Sequence, residues 1–431
     1  MTRTFLLTTA LLAASAGFSL AKPLITSSEE TVARLCLARQ DTPERIVAFC
    51  DSALMDARLT QNQRADLLVA QGDGFLWQNE YESAARAYRR ATEVNPLDVE
   101  AWNGLGWSLW ELEGDQAAYD AFAHSLSIGV TVQGLGGKAA LARRLGKTDN
   151  DTAREMLRAA LTIDPDYIWA RREVAWSLMD DRRYGPAVTE FEAALKIDAR
   201  DRNARYGLGR ARLSAGDAEG ALAMFNDVLL DDPRDFPTLV YRIVALRNLD
   251  RNAQAVRLAD ELIQAYPDRA SGYVEKGQAL VALERRAEAI ETYIDAEARL
   301  GPDNAVLYWH ADALTNDGRL KEALAVIDRG LQQSGADYSD HLLKSYIALE
   351  LGEYAMARAA AEASLAMGVN DPWAHYYIAI TLVHEGDVKA GLERFDSAVQ
   401  AGLPAERVKA FATELVGAGK YVEAAELRLK Y

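Results

Sequence analysis

Small apolar, large apolar and polar positions repeat along this chain at a long fixed period. Ala84, Ala118, Ala153, Ala187, Ala221, Ala255, Ala289, Ala323 and Ala357 recur every 34 residues, with one step of 35, and Gly391 is the next rung. Four residues after the rungs stand Tyr88, Phe122, Leu157, Phe191, Phe225, Tyr293, Ile327 and Phe395, with Ala259 and Ala361 as the exceptions. Such a period marks stacked supersecondary units. In residues 65–98, Leu68, Gln71, Gly72 and Phe75 share one face at helical spacing and predict a first helix. Asn79-Glu80-Tyr81 turns the chain. Ala84, Tyr88 and Ala91 then mark one face of a second helix, which Pro96 ends.

Each recurring feature has a physical cause. Two helices joined by a short turn pack antiparallel, and small residues at the crossing let the axes approach. Gly72, Gly106, Gly209 and Gly277, with Ala175, Ala311 and Ala379 in equivalent places, are expected to face the alanine ladder. Asp98, Asp201, Asp235, Asp303, Asp337 and Asp371 stand where first helices begin and are expected to cap their free N–H groups. Gly216, Gly318, Gly352 and Gly386 mark turns between paired helices. The third unit departs most: Gly129 to Lys138 is glycine-rich and reads as a connector. Its Gly134-Leu-Gly-Gly137-Lys138 lacks the following Ser/Thr and the preceding strand of a phosphate loop.

Trp102, Leu105, Gly106, Leu109, Ala118 and Phe122 in one unit, and Tyr81, Ala84, Tyr88, Ala91 and Pro96 in another, resemble the tetratricopeptide repeat. The resemblance implies an all-α fold, a right-handed superhelical solenoid of stacked helix-turn-helix repeats. It places about ten units in residues 59–404. A helix pair at 22–58 and a capping pair at 405–431 flank them. It also implies a concave groove, lined by the first helices, where peptides or partner domains bind.

Composition narrows the partner. Hydrophobic residues make up 49% and charged residues 26% of the 431, a folded composition, and the formal net charge is −16. That field opposes nucleic acid or an anionic membrane as main partner. Residues 1–21 read as a secretory signal. Arg3 gives the positive start, Phe5 to Ala16 the apolar run, and Ser19-Leu20-Ala21 the cleavage site. The run is too short to span a bilayer, so the expectation is a periplasmic or secreted protein without membrane insertion. An oxidising compartment favours a disulfide between Cys36 and Cys50 over two free thiols. Closing that loop would contribute about 3 kcal/mol.

No chemistry announces itself. The histidines His124, His310, His341, His375 and His384 lack the spacing of a zinc protease, and no His lies near the cysteines to complete a metal site. Gly106-Trp-Ser108-Leu-Trp110 lacks the closing glycine and the strand of a nucleophile elbow. The chain reads as non-enzymatic, with no cofactor and no metal. Tryptophan placement is the anomaly. Trp77, Trp107, Trp110, Trp169, Trp176 and Trp373 lie on the side of the first helices turned away from the paired helix. These rings either pack between neighbouring units or stand as anchors on a binding face. Trp107, Trp110, Arg172, Trp176, Tyr206, Arg210, Tyr308, Tyr346 and Tyr376 are the candidate groove residues. The expected partner is a protein or extended peptide, in envelope assembly or secretion. A polysaccharide, stacked on the same rings, is the alternative.

Overall fold

The computed structural model describes residues 28–431 except Glu113, and the leader expected at 1–21 lies outside them. The chain divides into two compact units, Met1–Val228 and Leu229–Tyr431. The first carries α1 (Ser28–Ala38), α2 (Pro43–Leu54), α3 (Gln61–Trp77), α4 (Tyr81–Val94), α5 (Val99–Leu112) and α6 (Asp115–Ile128). It continues through α7 (Val132–Arg144), α8 (Asn150–Ile163), α9 (Ile168–Asp180), α10 (Tyr184–Ile197) and α11 (Arg202–Ser214), and the division falls within α12 (Ala218–Asp231). The second unit carries α13 (Phe236–Asn248), α14 (Asn252–Ala265), α15 (Ala270–Ala282), α16 (Arg286–Leu300), α17 (Asn304–Asn316) and α18 (Leu320–Gly330). It ends with α19 (Tyr338–Glu350), α20 (Tyr354–Ala366), α21 (Pro372–His384), α22 (Val388–Gln400), α23 (Glu406–Gly417) and α24 (Tyr421–Lys430). Among the described residues all regular structure is helical. Within each unit, paired helices pack together and each first helix also touches the first helix of the next pair.

The ladder is the core. Every alanine rung from Ala84 to Ala357 is buried, and so are the rings that follow at Tyr88, Phe122, Phe191, Phe225, Tyr293 and Phe395. Ala84 in one unit and Ala289 in the other are alike, both wholly inaccessible. Two of the crossing places touch the ladder directly: Ser345 Oγ donates to the Ala357 carbonyl at 2.8 Å, and the Ala379 carbonyl lies 3.1 Å from where a Cβ at Gly391 would stand. What demands glycine, however, is the ring four residues on. A Cβ at Gly72 would stand 2.7 Å from the Tyr88 ring, and one at Gly106 would stand 2.8 Å from Phe122. Gly104 and Gly137, one helix pair further along, crowd the same two rings. Each of these rings thus meets two bare stretches of helix, and its burial stabilises the fold by roughly 1.5–3 kcal/mol.

Turns and caps follow the sequence closely. The side chains of Asp98, Asp201, Asp235, Asp303, Asp337 and Asp371 all accept backbone N–H groups in the first turn of the helix that follows. Gly216, Gly318, Gly352 and Gly386 have positive φ between the paired helices, and Asn79, Arg182, Asp250 and Glu284 adopt the same conformation. Pro43 begins α2 with Thr42 as N-cap. Cys36 and Cys50 are joined in a disulfide that staples α1 to α2, with Cα atoms 5.0 Å apart. Arg39, just after α1, pairs with Asp73 on α3 at 2.9 Å and anchors the stapled pair to the array.

One expectation is overturned. The glycine-rich stretch 129–138 is not a connector: from Val132 it is helix α7, capped by Thr131. Its glycines are there for packing. Gly137 lies under Phe122, and a Cβ at Gly136 would meet the Trp169 indole at 2.7 Å. Leu141, which like Ile243 is large where the other units are small, is fully buried.

Candidate binding face

Thinning α7 has a consequence on the first-helix face of the first unit. The Trp169 indole of α9 lies edge-on to Trp107 of α5, with centroids 5.2 Å apart, and 6.3 Å from Trp110. Trp107 and Trp110 stack on each other at 5.4 Å. Arg144 lies over Trp110 at 5.8 Å and pairs with Asp115 at 2.9 Å. A second cluster follows along the same face, where Trp176 of α9 lies 6.3 Å from Tyr206 of α11. The Arg210 guanidinium sits 5.1 Å from Trp176 and 5.9 Å from Tyr206, a cation over two aromatic faces.

These rings share one local geometry. Trp107 meets Phe122 edge-on at 5.2 Å, Trp176 meets Phe191 at 5.1 Å, and Tyr206 lies 6.3 Å from Phe225. Each leans one edge on a fully buried ladder ring, and each is itself only half-buried. They therefore pack and present a face at once. Arg172 behaves differently: its guanidinium pairs with Asp201 at 2.7 Å, and that carboxylate also caps α11 through the Ala204 N–H. Asp201 is 3% exposed, so Arg172 neutralises a buried cap.

The three candidates in the second unit do not form one cluster. Tyr308 meets its neighbour Trp309 edge-on at 5.1 Å. Burial first, and then the nearby Asp312 and Asp340 carboxylates, push its phenol up to about 12. Tyr346 is 37% exposed and stacks on Tyr377 at 6.0 Å. Tyr376 is 5% exposed, beside the stacked Phe395 and Phe411 rings, and belongs to the core. Its place on the first-helix face does not make it an anchor, because α23 packs over it. Trp373, one turn earlier, lies under Arg407 at 4.7 Å.

Trp169 is the neighbour of the Trp107–Trp110 pair that periodicity alone underrates, since its place depends on glycine at 136 in another helix. The histidines are in structural contacts: His310 with Glu297 at 2.5 Å, His384 with Glu414 at 2.9 Å, and His124 against Trp102 at 4.1 Å. Among the described residues no three His, Cys, Asp or Glu side chains converge as a metal site. No described helix is long and apolar enough to cross a membrane.

Stacked helix hairpins with a buried small-residue ladder define a helical repeat protein of the scaffold class. Sequence profiles described as "Tetratricopeptide repeat" match residues 69–126, 178–240, 242–305 and 274–338, and the chain belongs to that family. It is 30% identical over 124 residues to the cytochrome c-type biogenesis protein CcmH of Escherichia coli K12, 28% of this chain and 35% of that protein. The chain thus spans about a third of the length of the curated relatives it matches. Yeast Tom70 is similar in structure, with a TM-score of 0.52 and 12% identity over 94% of this chain and 97% of that one. PilF of Pseudomonas aeruginosa is similar over 53% of this chain and 99% of its own, at 15% identity and a TM-score of 0.44. These structural likenesses concern the fold alone.

Proposed function

We propose that this chain is a non-enzymatic exported scaffold that holds a protein or extended peptide partner against the first-helix face of its first unit. The observation that carries the reading is the partial exposure of Trp107, Trp110, Trp176 and Tyr206 beside ladder rings that are fully buried. Rings that served packing alone would be covered like Phe122 and Phe191. Rigid, partly exposed indoles bury large area at small entropic cost, which suits them as anchors. Arg210, lying over both Trp176 and Tyr206, puts a cation on the same face.

The leader expected from the sequence at 1–21 and the Cys36–Cys50 disulfide support an oxidising, exported setting. Partial likeness to a protein named for cytochrome c-type biogenesis supports a role in the assembly of other proteins. A peptide array probed with the full chain tests the reading, with soluble glycans as competitors. Capture of peptides that is lost in Trp107→Ala/Trp110→Ala/Trp176→Ala supports it. Binding of glycans but not peptides, read by tryptophan quenching, would replace it with a carbohydrate-binding role.

A further inference from the structure

We propose that the cleft between α20 and α22, over the start of α21, is a separate site that binds a single carboxylate group through Arg394. The cleft has a volume of about 440 Å³, and its walls include Glu362, Leu365, Val369, Asn370, His375 and Arg394. It lies between second helices of the second unit, and the proposal does not rest on the aromatic face of the first.

An equivalent cleft three repeats earlier serves as an internal control. It has a volume of about 400 Å³ between α14 and α16, with Asp260, Tyr273 and Thr292 where the later one has Glu362, His375 and Arg394, each 102 residues on. In that earlier cleft Lys276 is paired with Asp260 at 2.8 Å, and Glu288, Glu291 and Asp295 surround them. An anion has no place there. In the first unit the same two positions hold Arg171 and Glu190, 3.5 Å apart and mutually neutralising. Only the later cleft puts an arginine three residues after the rung, where the other nine repeats carry Ala, Met, Glu, Leu, Thr or Val. Packing therefore does not require it.

Arg394 also lacks an acidic partner. Its Nη1 donates to His375 Nδ1 at 3.2 Å, and His375 Nε2 donates to Asn370 Oδ1 at 2.6 Å, so the imidazole is neutral. His375 is 8% exposed, and burial and then the adjacent guanidinium push its pKa down, with Asp371 opposing. No carboxylate among the described residues pairs with Arg394. In a chain of net charge −16, a guanidinium held by a neutral ring at the wall of a cleft is a prepared anion site. Glu362 on the rim sets the charge of the guest. One negative charge is neutralised by Arg394, whereas a second would face Glu362 uncompensated, which favours carboxylate over phosphate. Leu365 and the partly exposed Val369 offer apolar wall to a carbon skeleton. The guest is thus an acylated amino acid or the free C-terminus of a polypeptide with an apolar last residue.

Calorimetry on the full chain tests this with N-acetyl-leucine, an acetylated pentapeptide ending in leucine, the same peptide amidated, and inorganic phosphate. The free acids are expected to bind and amidation to weaken binding at least tenfold. If the pentapeptide binds more tightly than N-acetyl-leucine, the polypeptide end is the source; equal affinities assign a small free acid. Arg394→Met, which copies Met156 and Met224 at the equivalent place, should weaken binding at least tenfold with an unchanged melting temperature. Arg394→Thr, which copies Thr292, gives the same reading if the first variant folds poorly. Glu362→Gln should admit phosphate. Equal binding of acid and amide, no binding of either acid, unchanged affinity in both arginine variants, or no phosphate binding to Glu362→Gln would overturn the assignment.

Discussion

A glycine in a helix is a stability cost until something needs the space, and here the rings need it. A methyl at Gly277 would stand 2.2 Å from the Tyr293 ring, and one at Gly136 2.7 Å from the Trp169 indole. Gly277→Ala and Gly136→Ala should each cost about 1–3 kcal/mol in urea unfolding, as overpacked cores do. Gly185→Ala, with nothing near its added methyl, should cost nothing. Loss at the first two and none at the third is the expected pattern; equal effects at all three would contradict it. The small-residue ladder was legible from period alone. The true neighbour of each glycine was not, because one-dimensional spacing gives the face and leaves open which atom fills it.

His375 makes a pH prediction at the same scale. With its folded pKa pushed below the usual 6.5 by burial and Arg394, the unfolded chain takes up the proton first as pH falls. Its contribution to stability is intact above about pH 6.5 and is lost on acidification below it. The slope of stability against pH between 5.5 and 7 should be shallower in His375→Gln than in the parent. A parallel slope would show that the ring is not the group responsible.

Elements are held by caps and staples whose places were readable. All six first-helix aspartates cap as expected, but Asp201 has a second duty that no local motif reveals, because Arg172 comes from another repeat. Asp98→Ala should cost about 1 kcal/mol, the worth of a cap. Asp201→Ala should cost about 3–5 kcal/mol, since it also leaves a largely buried guanidinium unpaired. Equal losses would mean that the Arg172 pair is unimportant. At the N-terminal end, Cys36→Ala/Cys50→Ala should destabilise the α1–α2 pair by about 2–4 kcal/mol. Amide exchange should quicken over residues 31–54 and stay unchanged in α5 and α6. Helix α7 was misread because glycine's poor intrinsic propensity was given more weight than the ring packing that overrides it.

At the scale of the whole molecule, the repeat class was legible because each hairpin buries its surface against sequence neighbours, which writes the fold into the period. The face was legible in part. Trp107 stacks on Trp110 and Arg210 lies over Trp176 and Tyr206, while Arg172 neutralises a buried cap and Tyr376 is core. The second unit's tyrosines remain scattered because Trp309 and Tyr377, at other places in the repeat, take up their rings. The central claim, that the first unit's indoles face outward for a partner while the ladder rings hold the fold, meets its most direct test in paired melting and binding curves. Trp107→Ala/Trp110→Ala/Trp176→Ala should melt within a few degrees of the parent and lose array-selected peptides at least tenfold. A triple variant that unfolds, or one that binds those peptides unchanged, would contradict the account.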